Sequence, residues 1–104
     1  MSEVSIDELA EALEAGRLAY DVREKDEFVR GHVPGVRLLP MSEIEQRFEE
    51  IPTDQGTIYF VCAVGARSGK VAEAMRQKGL DAVNVTGGTK AWMEAGRRLA
   101  TGTS

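Results

Sequence analysis

The sequence predicts an α/β fold: a mainly parallel sheet with helices on both faces. Short apolar runs alternate along the chain with segments of helical spacing, and such alternation builds parallel strands joined by crossover helices. The run Thr57-Ile58-Tyr59-Phe60-Val61 is β-branched and aromatic throughout, as a strand covered on both faces would be. At 104 residues the chain suits one domain, since domains run from about 50 to 250 residues.

Ser5 followed by Glu8 forms a capping-box pattern ahead of Leu9, Ala10 and Leu13. It opens a first helix that Gly16 stops. Leu18-Ala19-Tyr20-Asp21-Val22 reads as a strand with Asp21 near its end, and Arg23 to Phe28 as the helical turn after it. Gly31-His32-Val33-Pro34-Gly35 is a turn, and 36–39 a further short strand before Pro40. Ser42 with Glu45 repeats the capping-box pattern and predicts a helix with Ile44 and Phe48 inward. Residues 52–56 return the chain to 57–61, the strand expected at the centre of the sheet. After Cys62-Ala63-Val64-Gly65-Ala66, the spacing of Val71, Ala72, Met75 and Arg76 predicts a helix over 67–78, closed by Gly79. Ala82 to Val85 gives a last strand, Gly87-Gly88 a tight turn, and 89–95 a last helix carrying Trp92 and stopped by Gly96. The domain is expected over residues 1–104, with 99–104 frayed.

Charge and composition exclude several classes of function. The formal net charge is −4 with 13 Lys and Arg residues, so no general basic surface is available to neutralise nucleic-acid phosphates. No segment reaches the roughly 18 apolar residues of a membrane span, and the N-terminus lacks the basic start and unbroken apolar stretch of a signal peptide. A cytoplasmic monomer is expected. The single Cys cannot form an internal disulfide, and one Cys with one His cannot supply the usual four-ligand zinc set. No metal is expected.

That leaves Cys62 as buried apolar filler or as a reactive group, and its surroundings favour reactivity. It follows directly on the expected central strand and precedes a helix, the place where open α/β sheets gather ligands. Backbone N–H groups of such a loop, with the helix dipole, stabilise an anion, and a thiolate is one. Gly65 permits the tight turn and Ser68 offers a hydroxyl. Arg67, five residues past Cys62, falls in the first helical turn, where a cation is disfavoured unless an anion lies nearby. Helix N-termini and neighbouring Arg both lower a thiol pKa.

Four motifs resemble the rhodanese-like domain family, in family order and over nearly the whole chain. They are Asp21-Val22-Arg23-Glu24 with Glu27-Phe28; Gly31-His32-Val33-Pro34-Gly35; Cys62-Ala63-Val64-Gly65-Ala66-Arg67-Ser68; and Gly87-Gly88-Thr89-Lys90-Ala91-Trp92 with Gly96. The resemblance implies a five-stranded parallel sheet, a persulfide carried on Cys62, and no metal or organic cofactor. It implies a sulfurtransferase in which the Cys62 thiolate attacks the outer sulfur of thiosulfate or a related donor. Sulfite or a thiol leaves, the loop from Ala63 through Val64, Gly65, Ala66 and Arg67 to Ser68 holds the persulfide, and a thiol, cyanide or a thioredoxin-like protein accepts the sulfur. Val36 and Leu38 depart from the family's usual Ala and Asn, and Ala63 replaces a frequently basic residue, removing one anion contact.

Several residues carry two readings. His32 could serve as base to a thiol, but its Gly/Pro turn favours a structural role. Asp21 and Arg23 either orient the loop or hold the strand end as an ion pair. Trp92 reads as core, and Glu43, Glu45, Glu49 and Glu50 as a solvated helix face. A phosphatase or arsenate reductase is the enzymatic rival, but the rhodanese-like phosphatases hold five residues between Cys and Arg, whereas this chain has four, a cradle better sized for one sulfur atom. A persulfide carrier or docking module serving one protein partner is the other alternative.

Overall fold

The computed structural model describes residues 2–103. Ten helices and strands alternate: β1 (Glu3–Val4), α1 (Ile6–Glu14), β2 (Ala19–Asp21), α2 (Lys25–Arg30), β3 (Arg37–Leu38), α3 (Ile44–Arg47), β4 (Ile58–Val61), α4 (Ala66–Gln77), β5 (Ala82–Val85) and α5 (Gly88–Glu94). The strands form one sheet in the order β1-β5-β4-β2-β3, parallel throughout.

Strand β4 is central, as its composition predicts, and every β4 residue except Tyr59 is buried. Ile58, Phe60 and Cys62 pack with Tyr20, Val22, Val71 and Met75 on the α4 side, together with partly buried Ile44 and Phe48. Val61 and Val85 pack with Leu9, Phe28 and Trp92 on the opposite side. The two apolar layers explain why β4 has no polar face. Because β3 lies beyond β2 while β4 lies on the other side of it, the sheet order reverses between β2 and β4. The carboxyl ends of these strands meet there, with Asp21 paired to Val61 and the Val22 N–H bonded to the Val61 carbonyl at 2.9 Å. A crevice at such a reversal is where this architecture places ligands.

The capping box at α1 forms in both directions: the Glu8 N–H donates to Ser5 Oγ at 3.1 Å and the Ser5 N–H to Glu8 Oε1 at 3.0 Å. The expected box at Ser42 does not form. Pro40 opens a 3-10 turn over Met41–Glu43, so Ser42 lies inside a turn instead of ahead of one, and its hydroxyl donates to Glu24 at 2.8 Å. Glu43 and Glu50 of the acidic run pair with Arg47 on the surface.

Two other expectations are corrected. The element-by-element reading missed β1, which is two residues long and defined by its pairing with Asn84 and Val85. The segment expected to fray from residue 99 is tied down through Gly102. Leu99 packs on the Phe28–Trp92 layer, Ala100 exchanges both backbone bonds with His32 at 2.9 and 2.8 Å, and the Gly102 N–H reaches the Val29 carbonyl at 2.9 Å. Among the described residues no helix is long and apolar enough to cross a membrane.

Candidate active site

Cys62 is the first residue past β4 and is 1% exposed. The chain then turns through Gly65, whose φ of +107° lies in the left-handed region, a conformation that favours glycine. That turn brings the start of α4 back over the sulfur. The Gly65 N–H donates to Cys62 Sγ at 3.1 Å, and the Ser68 N–H and hydroxyl approach it at 3.3 and 3.2 Å. Unpaired N–H groups at a helix start are donors without intrahelical partners, and here two of them are spent on one sulfur.

Helix α5 holds the loop from the other side. The Thr89 N–H and hydroxyl donate to the Cys62 carbonyl at 2.9 and 3.1 Å, and the Lys90 N–H to the Ala63 carbonyl at 3.0 Å. So close an approach requires glycine at 88: φ is +60°, and a Cβ there would collide with the carbonyl groups of Cys62 and Ala63.

Burial raises the Cys62 thiol pKa, but this largest single influence is outweighed by the Ser68 hydroxyl and the N–H groups of Ser68, Gly65 and Val64, so the pKa falls below its ordinary value. The lowering comes from short-range hydrogen bonds, which favour the charged form. Arg67, expected to share in it by its charge, does interact with Cys62 through its field, but its hydrogen bonds go elsewhere. Its guanidinium forms a two-pronged pair with Glu27 of α2, at 2.9 and 3.0 Å. Glu27 is thus the anion that offsets a cation in the first turn of α4. The Arg67 bond holds the Glu27 carboxyl down to about 2 in spite of its partial burial, helped by the Glu24 N–H and by the fields of Arg67 and Arg23. Glu27 bridges α2 to the Cys62 loop, a pairing across 40 positions that local sequence does not signal.

Asp21 and Arg23 form a buried ion pair. Arg23 Nε lies 3.1 Å from both carboxylate oxygens of Asp21, one terminal nitrogen lies 2.9 Å from Oδ2, and that nitrogen also donates to the Gly31 carbonyl at 2.7 Å. The pair ties the end of β2 to the turn after α2. His32 stacks on Phe28 with 3.6 Å between ring centroids, and its Nδ1 lies 2.8 Å from the Phe28 carbonyl. Trp92 is 6% exposed and its indole N–H donates to the Arg98 carbonyl at 2.9 Å, a core position with its polar end satisfied.

Of the residues singled out in the sequence, Gly65 and Ser68 bond the sulfur directly and the Val64 N–H acts on it electrostatically. Ala63 supplies a carbonyl to α5, Ala66 begins α4, and Arg67 turns to Glu27. A cleft of about 330 Å³ opens beside the loop, lined by Arg23, Glu27, Arg30, Ala63, Lys90 and Met93 among others. Glu27 and Thr89 stand in the sequence motifs without a role of their own, and Asn84 reads there only as part of the last strand. Asn84 carried the clearest signal, a polar residue inside the apolar run Ala82–Val85; it is 5% exposed and accepts from the Ser68 hydroxyl at 2.5 Å.

A buried cysteine at the carboxyl end of a central parallel strand is ringed by donors from a glycine-turned loop, surroundings that favour its ionised form. The chain belongs to the rhodanese-like domain family, whose model matches residues 5–95. It is 42% identical over 73 residues to YqhL of Bacillus subtilis, an uncharacterized protein, a match covering 69% of this chain and 57% of that one. It is 29% identical to the human thiosulfate:glutathione sulfurtransferase, across 88% of this chain and 92% of that enzyme. The crystal structure of a rhodanese-related protein from Thermoplasma volcanium superposes with a TM-score of 0.89 at 28% identity, covering 98% of this chain and 100% of that one.

Proposed function

We propose that this protein is a sulfurtransferase that carries sulfane sulfur as a persulfide on Cys62. The Cys62 thiolate attacks the outer sulfur of thiosulfate or a related donor, the donor's S–S bond breaks, and sulfite, or a thiolate where the donor is a persulfide, leaves with the bonding pair. An acceptor thiolate then attacks the outer sulfur of the Cys62 persulfide and regenerates the Cys62 thiolate. The convergence of three hydrogen-bond donors on Sγ carries this reading, because nucleophilic attack needs the thiolate. The Gly65 and Ser68 N–H groups and the Ser68 hydroxyl lie 3.1 to 3.3 Å from the sulfur, a cradle closed on one atom, which supports sulfur transfer over phosphate chemistry. In this reading Asp21 and Arg23 support the loop from the β2 side.

The test is steady-state turnover with thiosulfate and glutathione, following sulfite release. The intact protein should release sulfite in proportion to thiol consumed, and Cys62→Ser should release none while keeping its melting transition. Sulfite release undiminished in Cys62→Ser would overturn the mechanism.

A second reading, a persulfide donor to one protein partner, has its own support. Val64 and Met93, at 56% and 54% exposure, are the large exposed hydrophobic side chains among the described residues. Met93 lines the cleft and Val64 adjoins cleft-lining Ala63. Val64→Ser with Met93→Ser should leave turnover on glutathione unchanged and slow transfer to a protein acceptor; equal effects on both acceptors would count against that reading.

A further inference from the structure

The Ser68 hydroxyl lies between two acceptors and has one proton to give. Its Oγ is 3.2 Å from Cys62 Sγ and 2.5 Å from Asn84 Oδ1. The Asn84 amide is fixed from its far side: Nδ2 donates to Glu3 Oε1 on β1 at 2.9 Å and to the Gly65 carbonyl at 3.1 Å. Turning the amide over would set Oδ1 against a carboxylate and a carbonyl, neither of which can donate. Oδ1 therefore faces Ser68, and an O···O contact this short requires a proton between the oxygens. Only Ser68 can supply it. In the resting thiol Ser68 thus donates to Asn84, and its lone pairs face the Cys62 S–H. A thiolate reverses the demand, since the sulfur then needs the Ser68 proton and Oδ1 is left facing a bare oxygen.

We propose that Asn84, locked by Glu3 and the Gly65 carbonyl, is a positioning residue that orients the Ser68 hydroxyl toward itself and so couples ionisation of Cys62 to reorientation of Ser68. On ionisation the thiol proton passes to solvent, the Ser68 O–H turns from Oδ1 to Sγ, and no other covalent bond changes. Asn84 thereby limits how much of the Ser68 hydrogen bond the thiolate can use. This rests on Cys62 being the reacting group proposed above. The other charged groups around the network are Glu3, the Arg67–Glu27 pair and the buried Asp21–Arg23 pair, with Lys90 at the cleft; the Asn84 and Ser68 substitutions leave all of them in place.

The experiment is the titration of Cys62, by ultraviolet thiolate absorbance and by the pH dependence of its alkylation by iodoacetamide. It reads the thiol whatever the sulfur donor, so its outcome is separate from that of the turnover test. Asn84→Ala should move the midpoint down by about one unit, about tenfold more thiolate at a fixed pH below it. In a Ser68→Ala background the same substitution should move it by nothing measurable, a coupling that only a double-mutant cycle isolates. An unchanged or raised midpoint in Asn84→Ala, or an equal shift in both backgrounds, would overturn the proposal. Should Asn84→Ala not fold, exposed Glu3 tests the same lock. Glu3→Ala removes the acceptor that fixes the amide and should lower the midpoint. Glu3→Gln removes the charge but keeps an acceptor, and should lower it less. Equal shifts in the two would mean that charge alone acts, and would overturn the proposal.

Discussion

Helices α4 and α5 start alike and do different work. Each follows a neighbouring parallel strand, and each is entered through a left-handed glycine, Gly65 at φ +107° and Gly87 at +83°. At α4 the free N–H groups of Gly65 and Ser68 converge on the Cys62 sulfur. At α5 those of Thr89 and Lys90 are taken up by the carbonyls of Cys62 and Ala63. One strand-to-helix junction thus gathers its donors on a side chain that can ionise, and the next is a clamp that holds the first in shape. The difference lies in the acceptor presented: a thiolate side chain can lose its charge to chemistry, whereas a backbone carbonyl is a permanent partner.

The largest separation between the two junctions should come from Cys62→Ser and Gly88→Ala. Cys62→Ser should abolish sulfite release with little change in stability, whereas Gly88→Ala should cost about 3 kcal/mol or more, because left-handed strain and backbone collision add. Urea unfolding of both variants checks this, and a Gly88→Ala protein of undiminished stability would remove the clamp from the account. Gly65→Ala carries the strain without the collision, since its nearest non-neighbour atom would be 3.5 Å away, and should cost less than Gly88→Ala in the same assay.

Next in size is Ser68→Ala. It removes the largest of the influences that lower the Cys62 pKa, so the midpoint should rise and alkylation near neutral pH should slow by about tenfold for each unit. A midpoint unmoved by Ser68→Ala would leave the N–H groups alone as the stabilising element. Thr89→Val is smaller still: the backbone bond to Cys62 remains, and losing one neutral hydroxyl bond costs about 1 kcal/mol.

The Arg67–Glu27 pair predicts the smallest change at neutral pH, since the Arg67 side chain is 38% exposed and pairs of that kind contribute about 1 kcal/mol or less. Its signature is pH. Glu27 lies near 2 against an ordinary 4.5, so its contribution is fully present above the ordinary value and is lost as pH falls from there toward about 2. Arg67→Ala should therefore unfold at higher pH than the intact chain in acid titration, and coincident acid transitions would contradict the pairing.

These contrasts also show where sequence was informative. The β4 run, the α1 cap and the position of Cys62 between strand and helix are local, and local propensity decides them. Glu27 meeting Arg67, Asn84 meeting Ser68 and Ala100 meeting His32 depend on how distant segments are brought together, so no window of sequence displays them. Strand β1 is too short to show periodicity and exists through its pairing with β5. At Ser42 a pattern suited to a helix start was present, but Pro40 had already begun a turn. Arg67 was legible as a cation needing an anion; that Glu27 provides it was not.

The most direct test of the cradle as a sulfur site is the intact mass of the protein before and after thiosulfate, with Cys62→Ser alongside and a reductant chase. The account predicts a gain of one sulfur atom in the intact protein, none in the variant, and its removal by thiol. No gain in the intact protein, or an equal gain in Cys62→Ser, would contradict it.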